Sequence, residues 1–123
     1  MTKWLMIVLV LVIVTSAGCG GNSGSDDLSP EAAQGQELAQ SKGCAACHGD
    51  LGEGGVGPAW AGLSGSEVDL EDGSTVIADV DYLRRSITDP ETQVVSGYTI
   101  TMPTTPLSEP EVAALIEYMQ ELK

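Results

Sequence analysis

Cys44-Ala45-Ala46-Cys47-His48 is the stretch on which the reading of this chain turns. Two thiols separated by two residues suit a redox dithiol, half of a zinc site or a thioether attachment point, and the residues elsewhere decide among them. The chain has three Cys and one His. Cys19 stands far upstream at the end of an apolar leader, so Cys44 and Cys47 have no further thiol to pair with. A zinc site fails for want of ligands, because no second His and no fourth Cys exist. A thioredoxin-like dithiol calls for a βαβ setting that the surrounding pattern lacks. The imidazole directly after the second Cys is what haem attachment requires: the two thiols bond to the porphyrin edge and the imidazole reaches the iron. One covalently bound haem c is therefore expected on Cys44, Cys47 and His48.

Since His48 is the sole His, the iron cannot have a second imidazole from this chain, and its sixth position falls to Met, to a rarer group or to nothing. Two Met lie beyond the leader, Met102 and Met119. Pro103 holds Met102 in extended backbone and bars a helix there, which leaves Met102 on a loop able to approach the iron from the side opposite His48. Met119 follows Leu115 by four and Val112 by seven, the spacing of a packed helical stripe, and belongs to the core. Met102 is the expected second iron ligand. A thioether in that position favours Fe(II) and closes the iron to oxygen and peroxide, which points to electron transfer rather than catalysis.

The totals fit a cofactor-filled domain. Within 123 residues there is room for one domain and a tether. Aromatic residues make up 4 % and Phe is absent, little large apolar material for a globule of this size, so a macrocycle is needed to complete the core. Five Lys and Arg stand against eighteen Asp and Glu, a formal charge of −13. That balance excludes nucleic acid as a partner and favours a cationic one.

At the front, Lys3 precedes an unbroken apolar run of eleven residues, Trp4 to Val14, followed by small residues to Cys19. The run is short of the ~20 residues that span a bilayer and has the layout of a secretory signal. Ser16-Ala17-Gly18-Cys19 resembles a bacterial lipoprotein processing site, with Ser16 where Leu is usual, and this implies a lipid anchor on Cys19. Gly20 to Ser29 is a polar Gly/Ser tether with an r.m.s. reach of ~15–20 Å. The expected organisation is a signal peptide over 1–18, a linker over 19–28 and a monohaem domain over 29–123. The protein is then exported to the periplasm or the outer face of the cytoplasmic membrane.

Within the domain, Ser29-Pro30-Glu31 opens a helix that should run to about Lys42 and stop at Gly43. A helix is predicted over Val80 to Thr88, ended by Asp89-Pro90. Ser108 and Glu111 form a capping box ahead of a stripe of Val112, Leu115, Ile116, Met119 and Leu122. Alternation over Glu67 to Asp79 about Asp72-Gly73 predicts a small hairpin, read as an insertion rather than a core sheet.

Cys44 to His48, then Gly57-Pro58-Ala59-Trp60-Ala61-Gly62-Leu63, then Met102-Pro103 before a terminal amphipathic helix, resemble a class I c-type cytochrome over the whole globular length. Val68 to Ser74, Ala78-Asp79, Tyr82 to Ile87 and Val94 to Tyr98 resemble, more particularly, the cytochrome c domain of bacterial cytochrome c oxidase subunit II, here without its copper-binding domain. The resemblance implies an all-α class I fold whose first and last helices cross beside the haem. It implies that the Pro58 carbonyl accepts from His48 Nδ1 and that Trp60 packs near the haem, its N–H toward a propionate. Arg84 or Arg85 is a candidate for the other propionate contact. The implied function is a non-enzymatic carrier of single electrons between a quinol-oxidising complex and a terminal cytochrome c oxidase, without a small-molecule substrate. A fixed haem subunit of such a complex, or a haem enzyme or sensor with a labile sixth ligand, are the alternatives.

Overall fold

A computed structural model describes residues 27–123; the signal peptide, Cys19 and nearly all of the expected linker lie outside the described residues. Helix α1 spans Pro30–Ser41, a single turn α2 spans Ala45–His48, strands β1 and β2 span Glu67–Asp69 and Thr75–Ile77, α3 spans Val80–Thr88 and α4 spans Glu109–Glu121. Among the described residues no helix is long and apolar enough to cross a membrane.

α1 starts where its cap dictates: Ser29 Oγ accepts from the Ala32 amide at 3.2 Å and Pro30 occupies the first turn. Its buried face is made of Ala32, Gly35 and Ala39, one small residue per turn. α4 lies on this face, in the most extensive packing between any two elements. At the crossing point Gly35 touches the partner backbone so closely that a Cβ there would run into the Ala114 carbonyl and the Tyr118 Cβ. Two polar ties clamp the ends of the pair. The Ser29 amide donates to Glu121 Oε2 at 2.9 Å, and Lys42 Nζ meets Glu111 Oε1 at 3.0 Å.

The predicted capping box is present, with Glu111 Oε2 accepting from the Ser108 amide at 2.7 Å and from its hydroxyl at 2.9 Å. α3 has the predicted bounds and is capped by Asp79, whose Oδ1 accepts from the Tyr82 amide at 2.8 Å. It packs on α4 through Tyr82, Leu83 and Ile87, which are buried together with Val112, Leu115, Ile116, Tyr118 and Met119.

The hairpin forms with Glu67 opposite Ile77, Val68 opposite Val76 and Asp69 opposite Thr75. Its turn is closed by Leu70 and Ser74, and Gly73 takes the left-handed conformation that the turn needs. The expected hairpin is present, and it also reaches the core: Val68 and Leu70 are buried in the central cluster, and Leu70 bridges to Val95 on the chain leading to Met102. The two-stranded ribbon is too small to bury a face by itself, so it borrows the helical core and the 93–96 segment as its cover.

Candidate functional site

Lys42 and Gly43 end α1, and Gly43, with φ at +82°, redirects the chain so that the turn α2 begins at once. Cys44 and Cys47 are three apart on this turn and both face the same cavity, with His48 at its end. Gly49, with φ at +87°, stops the turn. The loop that follows folds back on the motif, since the Gly54 amide donates to the His48 carbonyl at 2.8 Å and the Gly57 amide to that of Cys47 at 2.9 Å. Glu53 Oε2 accepts from the Leu51 amide at 2.8 Å and tightens the same loop.

His48 is 7 % exposed. Its Nδ1 stands 2.7 Å from the Pro58 carbonyl, and a carbonyl can only accept, so Nδ1 carries the proton and Nε2 presents a lone pair. Burial lowers the His48 pKa below the ordinary imidazole value, and the Pro58 carbonyl pulls weakly the other way. The ring is thus neutral and able to ligate. It is gripped on its faces as well. Trp60 stacks on it with centroids 4.6 Å apart and planes at 21°, while Tyr118 meets Trp60 edge-on at 6.3 Å. Gly57 lies under the ring, where a Cβ would come within 2.8 Å of Cε1 and 3.0 Å of Nδ1. Burial raises the Cys44 pKa, so its thiol is protonated at neutral pH.

Cys44, Cys47, His48, Pro58, Trp60 and Met102 all line one cavity of about 1280 Å³, its open mouth included. Its walls come from α3 and α4 as well as from the loops, and no Asp, Glu, Lys or Arg is among them. Met119 is buried at 4 % exposure, as its helical spacing predicts, and also forms part of the wall. Neither Arg84 nor Arg85, the candidates for a propionate contact, is among the residues lining the cavity. Arg84 Nη1 is turned to Glu109 Oε2 at 2.6 Å, and Arg85 Nε donates to Gln93 Oε1 at 3.1 Å. The pairing partners lie 25 and 8 residues away in sequence, a relation that local pattern does not encode.

A large, flat, apolar macrocycle fits these walls. The two thiols stand beside it for covalent attachment, the neutral imidazole is aimed by its carbonyl, and the apolar lining matches the porphyrin faces. The Ser86 hydroxyl oxygen, fully buried on the cavity wall, has no hydrogen-bond partner among the described residues. Such an orphan in an otherwise well-satisfied domain is what a site completed by a polar-edged cofactor leaves behind. Sequence reasoning missed Gly57 beneath the imidazole and Gly35 at the helix crossing, and it placed Trp60 near the haem without foreseeing its stack on His48. Only Gly57 had a local signal, its place directly before Pro58.

No curated protein matches the chain. The family model for cytochrome c matches residues 32–123, from α1 through the site to the end of α4. With Cys44, Cys47 and His48 fitting the attachment motif, the chain belongs to the cytochrome c family, electron-transfer proteins whose cofactor is covalently bound haem c.

Proposed function

We propose that the chain is a membrane-tethered monohaem cytochrome carrying single electrons between a quinol-oxidising complex and a terminal cytochrome c oxidase, on the outer face of the cytoplasmic membrane. The observation that carries this reading is that one neutral imidazole, His48, and one loop thioether, Met102, share a single uncharged cavity with both attachment thiols. Haem c supplies a one-electron iron couple. Cys44 and Cys47 would hold it through thioether bonds, and His48, its Nδ1 committed to Pro58, would offer Nε2 to the iron. Met102 would offer its thioether sulfur, a donor that favours the reduced iron and would exclude oxygen. The apolar walls keep water from the site, so little has to reorganise when the charge on the iron changes. Trp60 keeps the imidazole plane fixed.

The remainder of the proposal rests on residues before the domain. Cleavage after residue 18 leaves Cys19 to carry lipid, and the Gly/Ser tether lets the domain swing between neighbouring complexes. The resemblance to the haem domain of oxidase subunit II supports an oxidase as the acceptor. Membranes bearing the chain test all of this at once: its haem should be reduced by added quinol and reoxidised by oxygen, and Cys19→Ser should release the haem protein into the soluble fraction. Haem that stays oxidised in the presence of quinol, or a Cys19→Ser variant that remains on the membrane, contradicts the proposal.

A further inference from the structure

The cofactor brings two carboxylates to a cavity whose walls contain no cation. Buried carboxylates need donors, and a guanidinium is the usual one. Among the described residues the two ion pairs use Lys42 and Arg84, both with glutamates of α4. Arg85 is instead hydrogen-bonded to an amide, Nε to Gln93 Oε1 at 3.1 Å. Arginine has only donors, so this bond fixes which end of the Gln93 amide faces it: the oxygen is held by Arg85, and the NH₂ end is left for another acceptor. Gln93 lines the cavity. It also sits where the segment 93–96 is tied to the hairpin, through the Glu71 amide on the Val94 carbonyl at 2.9 Å and the Ser96 amide on the Asp69 carbonyl at 2.9 Å, so its backbone is firmly placed.

We infer that Gln93, oriented by Arg85, is the donor that meets a haem propionate, so that the positive charge of Arg85 reaches the carboxylate through an amide rather than by contact. This rests on the haem reading above. The bond from Arg85 polarises the amide and strengthens its N–H as a donor. Glu71, Asp72 and Glu91 line the groove on the outer side of Gln93 and oppose ionisation of a nearby carboxylate. Arg85 behind the amide offsets them.

The test is the pH dependence of the reduction potential of the haem-loaded protein. A propionate ionises at lower pH when the iron is oxidised, so the potential falls with pH between its two pKa values. Loss of the donor disfavours the ionised form and moves this falling limb to higher pH. Gln93→Leu and Arg85→Leu should each move it up by roughly one pH unit, and the double variant by little more than either single one, because the two act in series. Arg84→Leu removes the same charge from the adjacent position and should leave the limb in place. The carboxylate bending mode in resonance Raman should shift in Gln93→Leu and stay put in Arg84→Leu. A limb that does not move in Gln93→Leu, or that moves equally in Arg84→Leu and Arg85→Leu, overturns the inference. A protein isolated with Cys44 and Cys47 free of haem overturns the cofactor reading itself.

Discussion

His48 is held from three sides by residues that do no chemistry themselves, and Gly57 is the most exposed to test. Any side chain at 57 presses on the imidazole, and the ring cannot retreat because Trp60 stacks on it. Gly57→Ala should destabilise the haem-loaded domain by about 1–3 kcal/mol, as overpacking of a filled site does. It should also turn the ring and alter the spectrum of the oxidised iron. Chemical denaturation followed in the visible band reads both effects, and an unchanged spectrum and midpoint would show that the loop yields freely. The attachment motif was legible in the sequence because it is a local pattern with few alternatives, and Pro103 likewise announced that Met102 lies on a loop. The grip on the imidazole was legible only in part. The Pro58 contact was expected from resemblance, but the stack of Trp60 on His48 depends on how the loop 49–57 folds back, which no spacing reveals.

The helices begin and end where their caps say, since capping is decided within four residues. Ser29 and Asp79 each accept from an amide of the helix they precede, and the Ser108 amide donates to Glu111 in the expected capping box. What pairs the elements is longer-range. The sequence marks Gly35 as a poor residue in the middle of a helix, where Ala would gain about 1 kcal/mol of local propensity. The crossing with α4 reverses that sign, because the added Cβ meets backbone at Ala114, which cannot rotate away. Gly35→Ala should therefore lower stability by about 1–3 kcal/mol, net of the helix gain. Urea unfolding would measure the difference, and a stabilised variant would show that α1 and α4 are less tightly engaged than described.

The same pair of helices makes an acid-sensitive clamp. The Ser108 amide and hydroxyl and Lys42 pull the Glu111 carboxyl from its ordinary 4.5 down to about 2. A depressed pKa in the folded state stabilises above the unfolded value, and that contribution is lost as the pH falls from about 4.5 to about 2. Glu111→Gln should lower the melting temperature at pH 7, and the gap to the parent should close through this window. A gap that persists at low pH would mean that packing rather than charge is responsible.

At the scale of the whole molecule, the cofactor explains what the composition left unexplained. A domain without Phe still has an apolar centre because the walls of its cavity are completed by a macrocycle. The hairpin shows the limit of reading composition by segment. Its alternation was visible, yet the burial of Val68 and Leu70 in the central cluster and the bridge from Leu70 to Val95 were not, because those partners are remote in sequence. Likewise the charge of −13 says which partners are repelled, but the cavity itself is uncharged. The function turns on whether the iron inside it is closed. Exposing the reduced, haem-loaded protein to carbon monoxide at neutral pH asks that question directly. With His48 and Met102 as ligands the visible spectrum should not change, and Met102→Ala should bind the gas at once. A parent protein that takes up carbon monoxide would contradict the account and mark the chain as a haem enzyme or sensor.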